Sequence, residues 1–124
     1  MSKRPLSVLL LGWLFVIAGT VGLIYHSREL IHELFPRAGV IDSREVIELI
    51  GITLGRVLGI LAGVGLIYGR NWARWLCLAW IGFHVVISIW HSTFQVVFHA
   101  VFFVVIAFIL FRRPATEYFQ RAEG

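Results

Sequence analysis

The residues with chemistry to offer are few, and most of them stand inside apolar stretches. Arg56 lies eight residues after Glu48 in an otherwise aliphatic and glycine-rich run. His84, Ser88 and His91 follow at i, i+4 and i+7, which places them on one face of a helix. Gln95 and His99 repeat the i, i+4 spacing further on. Neutral imidazole ligates metals and haem iron, and Arg56 would balance an anionic group such as a propionate. Two readings stay open. In one, Arg56 snorkels outward and the imidazoles hydrogen-bond across helices as glue. In the other, the cluster lines an outward-opening pocket for a lipid head group, a quinone or a metal centre. His84 and His91 are about 10 Å apart along one helix, too far to share one haem iron. His99 could share an iron with either. No Cys-x-x-Cys-His attachment motif is present, so haem or pigment would bind non-covalently.

A second constellation is His26, Glu29, His32 and Glu33, at i, i+3, i+6 and i+7. Two imidazoles and two carboxylates on one helical face can hold zinc. The pattern matches no His-Glu-x-x-His arrangement, and Arg28 adds a competing charge, so a solvated face is the simpler reading. No catalytic set is visible. Asp42 is the only aspartate, outside the apolar segments, so a Ser/His/Asp triad has no material. Transport needs polar groups at every depth, and Ala100–Phe111 offers none.

These residues must be positioned by membrane helices. The chain has 124 residues, 59% hydrophobic and only 15% charged, with a mean hydropathy of +0.85. That excludes a disordered chain, a disulfide scaffold and an ordinary cytosolic enzyme. Cys77 is the only cysteine, which removes any intramolecular disulfide and the thiol-oxidoreductase chemistry of paired membrane cysteines. The formal charge is +4, but the basic residues sit at the ends of apolar segments rather than in a groove-reading stripe. Nucleic acid is therefore not an expected partner.

Leu6–Tyr25 carries no charge, and twenty residues of helix cover about 30 Å, the thickness of a hydrocarbon core. It is too long for a signal-peptide core and ends in no small-x-small site, which predicts a retained first helix. Trp75–Phe111 is also uncharged and is too long for one crossing. It must fold back at the polar cluster His91-Ser92-Thr93. The expected spans are 6–25, 46–69, 71–91 and 94–111, with a surface-lying amphipathic segment over 26–41 and a cytoplasmic tail over 112–124. The tail would lie along the inner surface with Tyr118 and Phe119 toward lipid or a partner. Lys3, Arg4, Arg70, Arg74, Arg112, Arg113 and Arg121 fall on one side, against Arg28, Arg37 and Arg44 on the other. The positive-inside rule then puts both termini in the cytoplasm of a bacterial inner membrane.

Gly51, Gly55, Gly59 and Gly63 recur every four residues in the second span. A stripe without side chains permits close helix approach, so a glycine zipper is expected, its partner being Gly12, Ala18, Gly19 and Gly22 of the first span or a second copy of the chain.

Two stretches, Gly65-Leu66-Ile67-Tyr68-Gly69-Arg70-Asn71-Trp72-Ala73-Arg74-Trp75 and Arg113-Pro114-Ala115-Thr116-Glu117-Tyr118-Phe119, resemble small bacterial inner-membrane proteins of four helices. The resemblance implies four helices with both ends inside and supplies no activity. The expectation is an all-α integral membrane four-helix bundle of one domain, 1–124. Its expected role is a non-enzymatic structural or accessory subunit surrounded by the lipid bilayer and other membrane subunits or copies of itself, with no resident cofactor. The alternative is a haem-, quinone- or pigment-binding redox subunit using His84, His91, His99 and Arg56.

Overall fold

A computed structural model describes residues 3–37 and 39–124. Helix α1 spans Leu6–Glu29, α2 Ser43–Ile67, α3 Asn71–Ser88, α4 Thr93–Phe111 and α5 Arg113–Glu123. Among the described residues three stretches are long and apolar enough to cross a membrane, namely Leu6–Arg37, Ser43–Ile67 and Thr93–Phe111. Helix α3 is not among them, having 18 residues that include Asn71, Arg74 and His84.

The first helix corrects the expected surface segment. Nothing between Pro5 and Pro36 stops a helix, and α1 runs past Tyr25 into a π-helical turn at Leu30–Leu34 and a 3-10 turn at Phe35–Arg37. The part of 26–41 up to Arg37 is thus a continuation of α1 rather than a separate amphipathic helix. Ala38 and the side chains of Glu33 and Leu34 lie outside the described residues. The continuous stretch of 32 residues measures about 48 Å, so a hydrocarbon core of about 30 Å would cover only some two thirds of it.

The turns follow from local chemistry. Gly69, at φ 71°, closes α2, and Arg70 N–H reaches back to Gly65 O at 2.8 Å; a residue with a Cβ resists that backbone conformation. The uncharged run from Trp75 folds back at Ile89–His91, where Ser92 caps α4 by accepting from Gln95 N–H at 3.2 Å.

Helix α1 packs along α2, α2 along α3 and α3 along α4, while α1 meets α4 only slightly. Buried apolar residues gather at the end of the bundle that holds the α2–α3 turn, where Val8, Leu66, Cys77, Ile106, Leu110 and Phe119 meet. The half toward the α3–α4 turn is less closed, and the cavities described below lie there.

The glycine stripe is not one seam. Four residues advance 400° around a helix, so a four-residue stripe rotates by about 40° per step and by about 120° from Gly51 to Gly63. Only Gly63 faces α1, where an added Cβ would lie 2.6 Å from Gly12 O. Gly59 faces the Trp80 ring of α3, and Gly51 and Gly55 face open space. On α1 the close approaches are at Gly12, Gly19 and Gly22, whose partners are Ile67, Ile60 and Arg56.

The tail also differs from expectation. Tyr118 and Phe119 turn inward onto the chain's own α2–α3 turn, and Phe119 is fully buried. The reason is a prepared seat. Gly69 has no side chain where Ala122 and Tyr118 approach; Tyr118 donates to Ile67 O at 2.8 Å; and Asn71 N–H donates to Glu123 Oε1 at 2.8 Å. Arg74 lies over the rings of Phe111 and Phe119, at 4.7 and 5.4 Å from their centroids.

Candidate functional site

Arg56 leaves α2 between the two glycines that meet Trp80, Gly55 and Gly59, and turns toward α1. Its guanidinium lies against Gly22, where a Cβ would stand 2.7 Å from the nearest guanidinium nitrogen. Among the described residues it makes no ion pair and no side-chain hydrogen bond. A charge at such a depth costs about 2.5–3.5 kcal/mol on insertion scales, and it is tolerated where it faces protein, water or an anionic partner. The absence of Cβ at Gly22 provides the lateral space.

Helix α3 presents its polar face to α2 and α4. Trp80 Nε1 donates to Gly55 O at 2.7 Å, a bond made on a carbonyl already in the helix ladder. The Trp80 and His84 rings are 4.0 Å apart at 35°. His84 Nδ1 lies 2.8 Å from Trp80 O, and His99 Nδ1 lies 2.8 Å from Gln95 O. A carbonyl only accepts, so Nδ1 carries a proton in both rings, which in the neutral imidazole leaves the lone pair on Nε2. The two rings stand 6.0 Å apart. Ser88 is spent locally, donating to His84 O at 2.7 Å and Val85 O at 2.8 Å.

The sequence-predicted residues therefore divide. Arg56, His84 and His91 line one cavity of about 640 Å³ between α2 and α3, floored by Gly51 and Gly55 and walled by Phe83 and Ile87. His99 faces His84 from α4 and is not part of that lining. His91 is exposed at the helix end. Toward the far end of α1, His26 is buried and Glu29 sits beside it over a separate cavity, whereas His32 is exposed. Among the described residues no three His, Cys, Asp or Glu side chains converge as a metal site.

Two participants escaped the sequence reading. Trp80 had a signal in its i, i+4 spacing to His84. Gly22 had one only in its register opposite Arg56, which no single sequence reveals. Gly51 and Gly55, expected to pack helices, instead supply the smooth floor of the cavity.

No protein-family model matches the chain, and no curated protein or solved structure matches it either.

Proposed function

We propose that the chain is a four-span protein of the bacterial inner membrane, with both termini cytoplasmic, acting without catalysis as a structural or accessory subunit of a larger membrane assembly. Helix α3 would be the fourth span. Its packing on α2 along one side and α4 along the other supports that reading. The observation that carries the subunit reading is α4. Only Ile106 and Leu110 are buried in it, and the rings of Phe94, Phe98 and Phe102 stack in a row at 6.4 and 6.0 Å. Such a ridge suits the helix of another subunit, because packing rather than the hydrophobic effect joins helices in lipid.

Cysteines introduced at Ser43 and Ser92, in a Cys77→Ser background, should react with an impermeant thiol reagent added outside intact cells. Labelling only after the cytoplasmic face is opened would reverse the topology. Gentle purification should bring down other membrane subunits in fixed ratio. A chain that always migrates alone with lipid would remove the accessory reading.

The His84–His99 pair favours a second reading, a redox or pigment subunit. Two imidazoles with Nδ1 tied to carbonyls and Nε2 free have the hydrogen bonding of metal-ligating histidines. The visible spectrum of the native protein decides it. A haem or chlorin band that disappears in His84→Ala and in His99→Ala would establish this reading, and a colourless protein would end it.

A further inference from the structure

The outer end of the α1–α2 pair holds a second set of polar groups that the histidines of α3 and α4 do not use. One cavity of about 280 Å³ is lined by His26, Glu29, Arg37, Glu45 and Glu48 among aliphatic neighbours. A second, of about 570 Å³, shares His26 and Glu29 and descends past Gly22 to Arg56. His26 is only 9% exposed, yet among the described residues its Nε2 has no partner. Glu45 spends Oε1 on Arg37 at 3.4 Å, while its Oε2 is buried with no partner among the described residues. Glu29 and Glu48 form no ion pair among the described residues, and neither does Arg56.

The charges are therefore sorted by depth. Three carboxylates and one arginine surround the mouth, leaving an excess of negative charge. A lone guanidinium sits below, at the level of Gly22. His26 is one helical turn above Gly22, about 6 Å, and Glu29 about 10 Å above it. What is missing is a ligand with its anion below and its cation above.

We propose that this vestibule binds a phosphoethanolamine head group, with phosphate on Arg56 and His26 and ammonium among Glu29, Glu45 and Glu48. Guanidinium is suited to phosphate through its forked donors. A primary ammonium brings three N–H donors to the carboxylates of Glu29 and Glu48 and to the buried Oε2 of Glu45, whereas a choline head has none to offer. The same zwitterion occurs on a membrane lipid and on soluble glycerophosphoethanolamine. The lower cavity favours the lipid, because Ala18, Val21 and Ile52 give it apolar walls. Buried charge also draws head groups and water inward by local thinning of the bilayer. The inference rests on the membrane reading above and is independent of any partner subunit.

The test uses the full chain, purified in detergent and exposed to vesicles with equal parts phosphatidylethanolamine, phosphatidylcholine and phosphatidylglycerol of matched acyl chains. Retained lipid is counted by native mass spectrometry. The expected result is one phosphatidylethanolamine per chain, preferred about tenfold over each of the others. Arg56→Gln should lose retention of every phospholipid. The double variant Glu29→Gln/Glu48→Gln changes two exposed side chains and should keep a phospholipid but no longer separate ethanolamine from choline. Glycerophosphoethanolamine should fail to displace the lipid; displacement at equal concentration would keep the zwitterion site and assign it to a soluble ligand. Equal retention of the three lipids, preference for phosphatidylglycerol, or an unchanged preference in the double variant would overturn the proposal.

Discussion

Gly63→Ala is expected to destabilise the helix bundle by about 2–3 kcal/mol, the upper part of the range for overpacking a filled contact. The new methyl would stand 2.6 Å from Gly12 O and 2.9 Å from both Phe15 Cβ and Val16 Cγ2. Backbone and Cβ atoms cannot swing aside as the end of a flexible side chain does, so α1 must move away from α2. Gly51→Ala provides the contrast on the same helix. Its added methyl meets nothing within 4 Å, and alanine is the better helix former by about 0.8–1 kcal/mol. Unfolding of the two variants in mixed detergent should therefore move in opposite directions from the parent. If Gly63→Ala proved as stable as Gly51→Ala, the contact between α1 and α2 would have to lie elsewhere.

That contrast also shows what a sequence can and cannot reveal. Apolar length made the helical class visible, because a chain this poor in charge has few other ways to satisfy its backbone in lipid. The fold-back near Ser92 was visible because the uncharged run is too long for one crossing and contains a single polar cluster. The register of α1 against α2 was not visible. It depends on which face of each helix turns inward, and a stripe at intervals of four rotates away from a fixed partner. Of the predicted site, Arg56, His84 and His91 were placed on one side of the bundle by helical spacing and depth. The way His99 meets His84, outside the cavity that Arg56 lines, depends on the relative rotation of α3 and α4. The inward turn of Tyr118 and Phe119 was hidden for a related reason. An amphipathic helix shows which face it buries, and says nothing of whether lipid, a partner or its own chain covers that face.

The same docked tail carries the other large effect. Phe119 is fully buried, packed against Arg74 with Ala115 and Tyr118 buried beside it. Phe119→Ala should weaken the seat of α5 by about 3–5 kcal/mol, as for aromatic deletions in filled cores. The loss should appear as release of α5, while α1 to α4 stay packed, because the Gly12–Gly63 contact does not involve the tail. A nitroxide at Gln120, attached through Gln120→Cys in the Cys77→Ser background, should pass from restricted to mobile motion. The hydroxyl of Tyr118 makes the docking sensitive to alkali as well. Burial pushes its pKa above the ordinary 10.0, against a smaller opposing effect of Arg4, and only the protonated phenol can donate to Ile67 O. Because the folded value is the higher one, this stabilisation is complete below pH 10 and is lost as pH rises through the raised value. Label mobility should accordingly increase in strongly alkaline buffer in the parent. In Tyr118→Phe the docking should be weaker by about 1 kcal/mol at neutral pH and should lack that alkaline step. A Phe119→Ala label as immobile as the parent's would mean that the hydrogen bonds at Asn71 and Ile67, rather than the buried ring, hold the tail against the bundle.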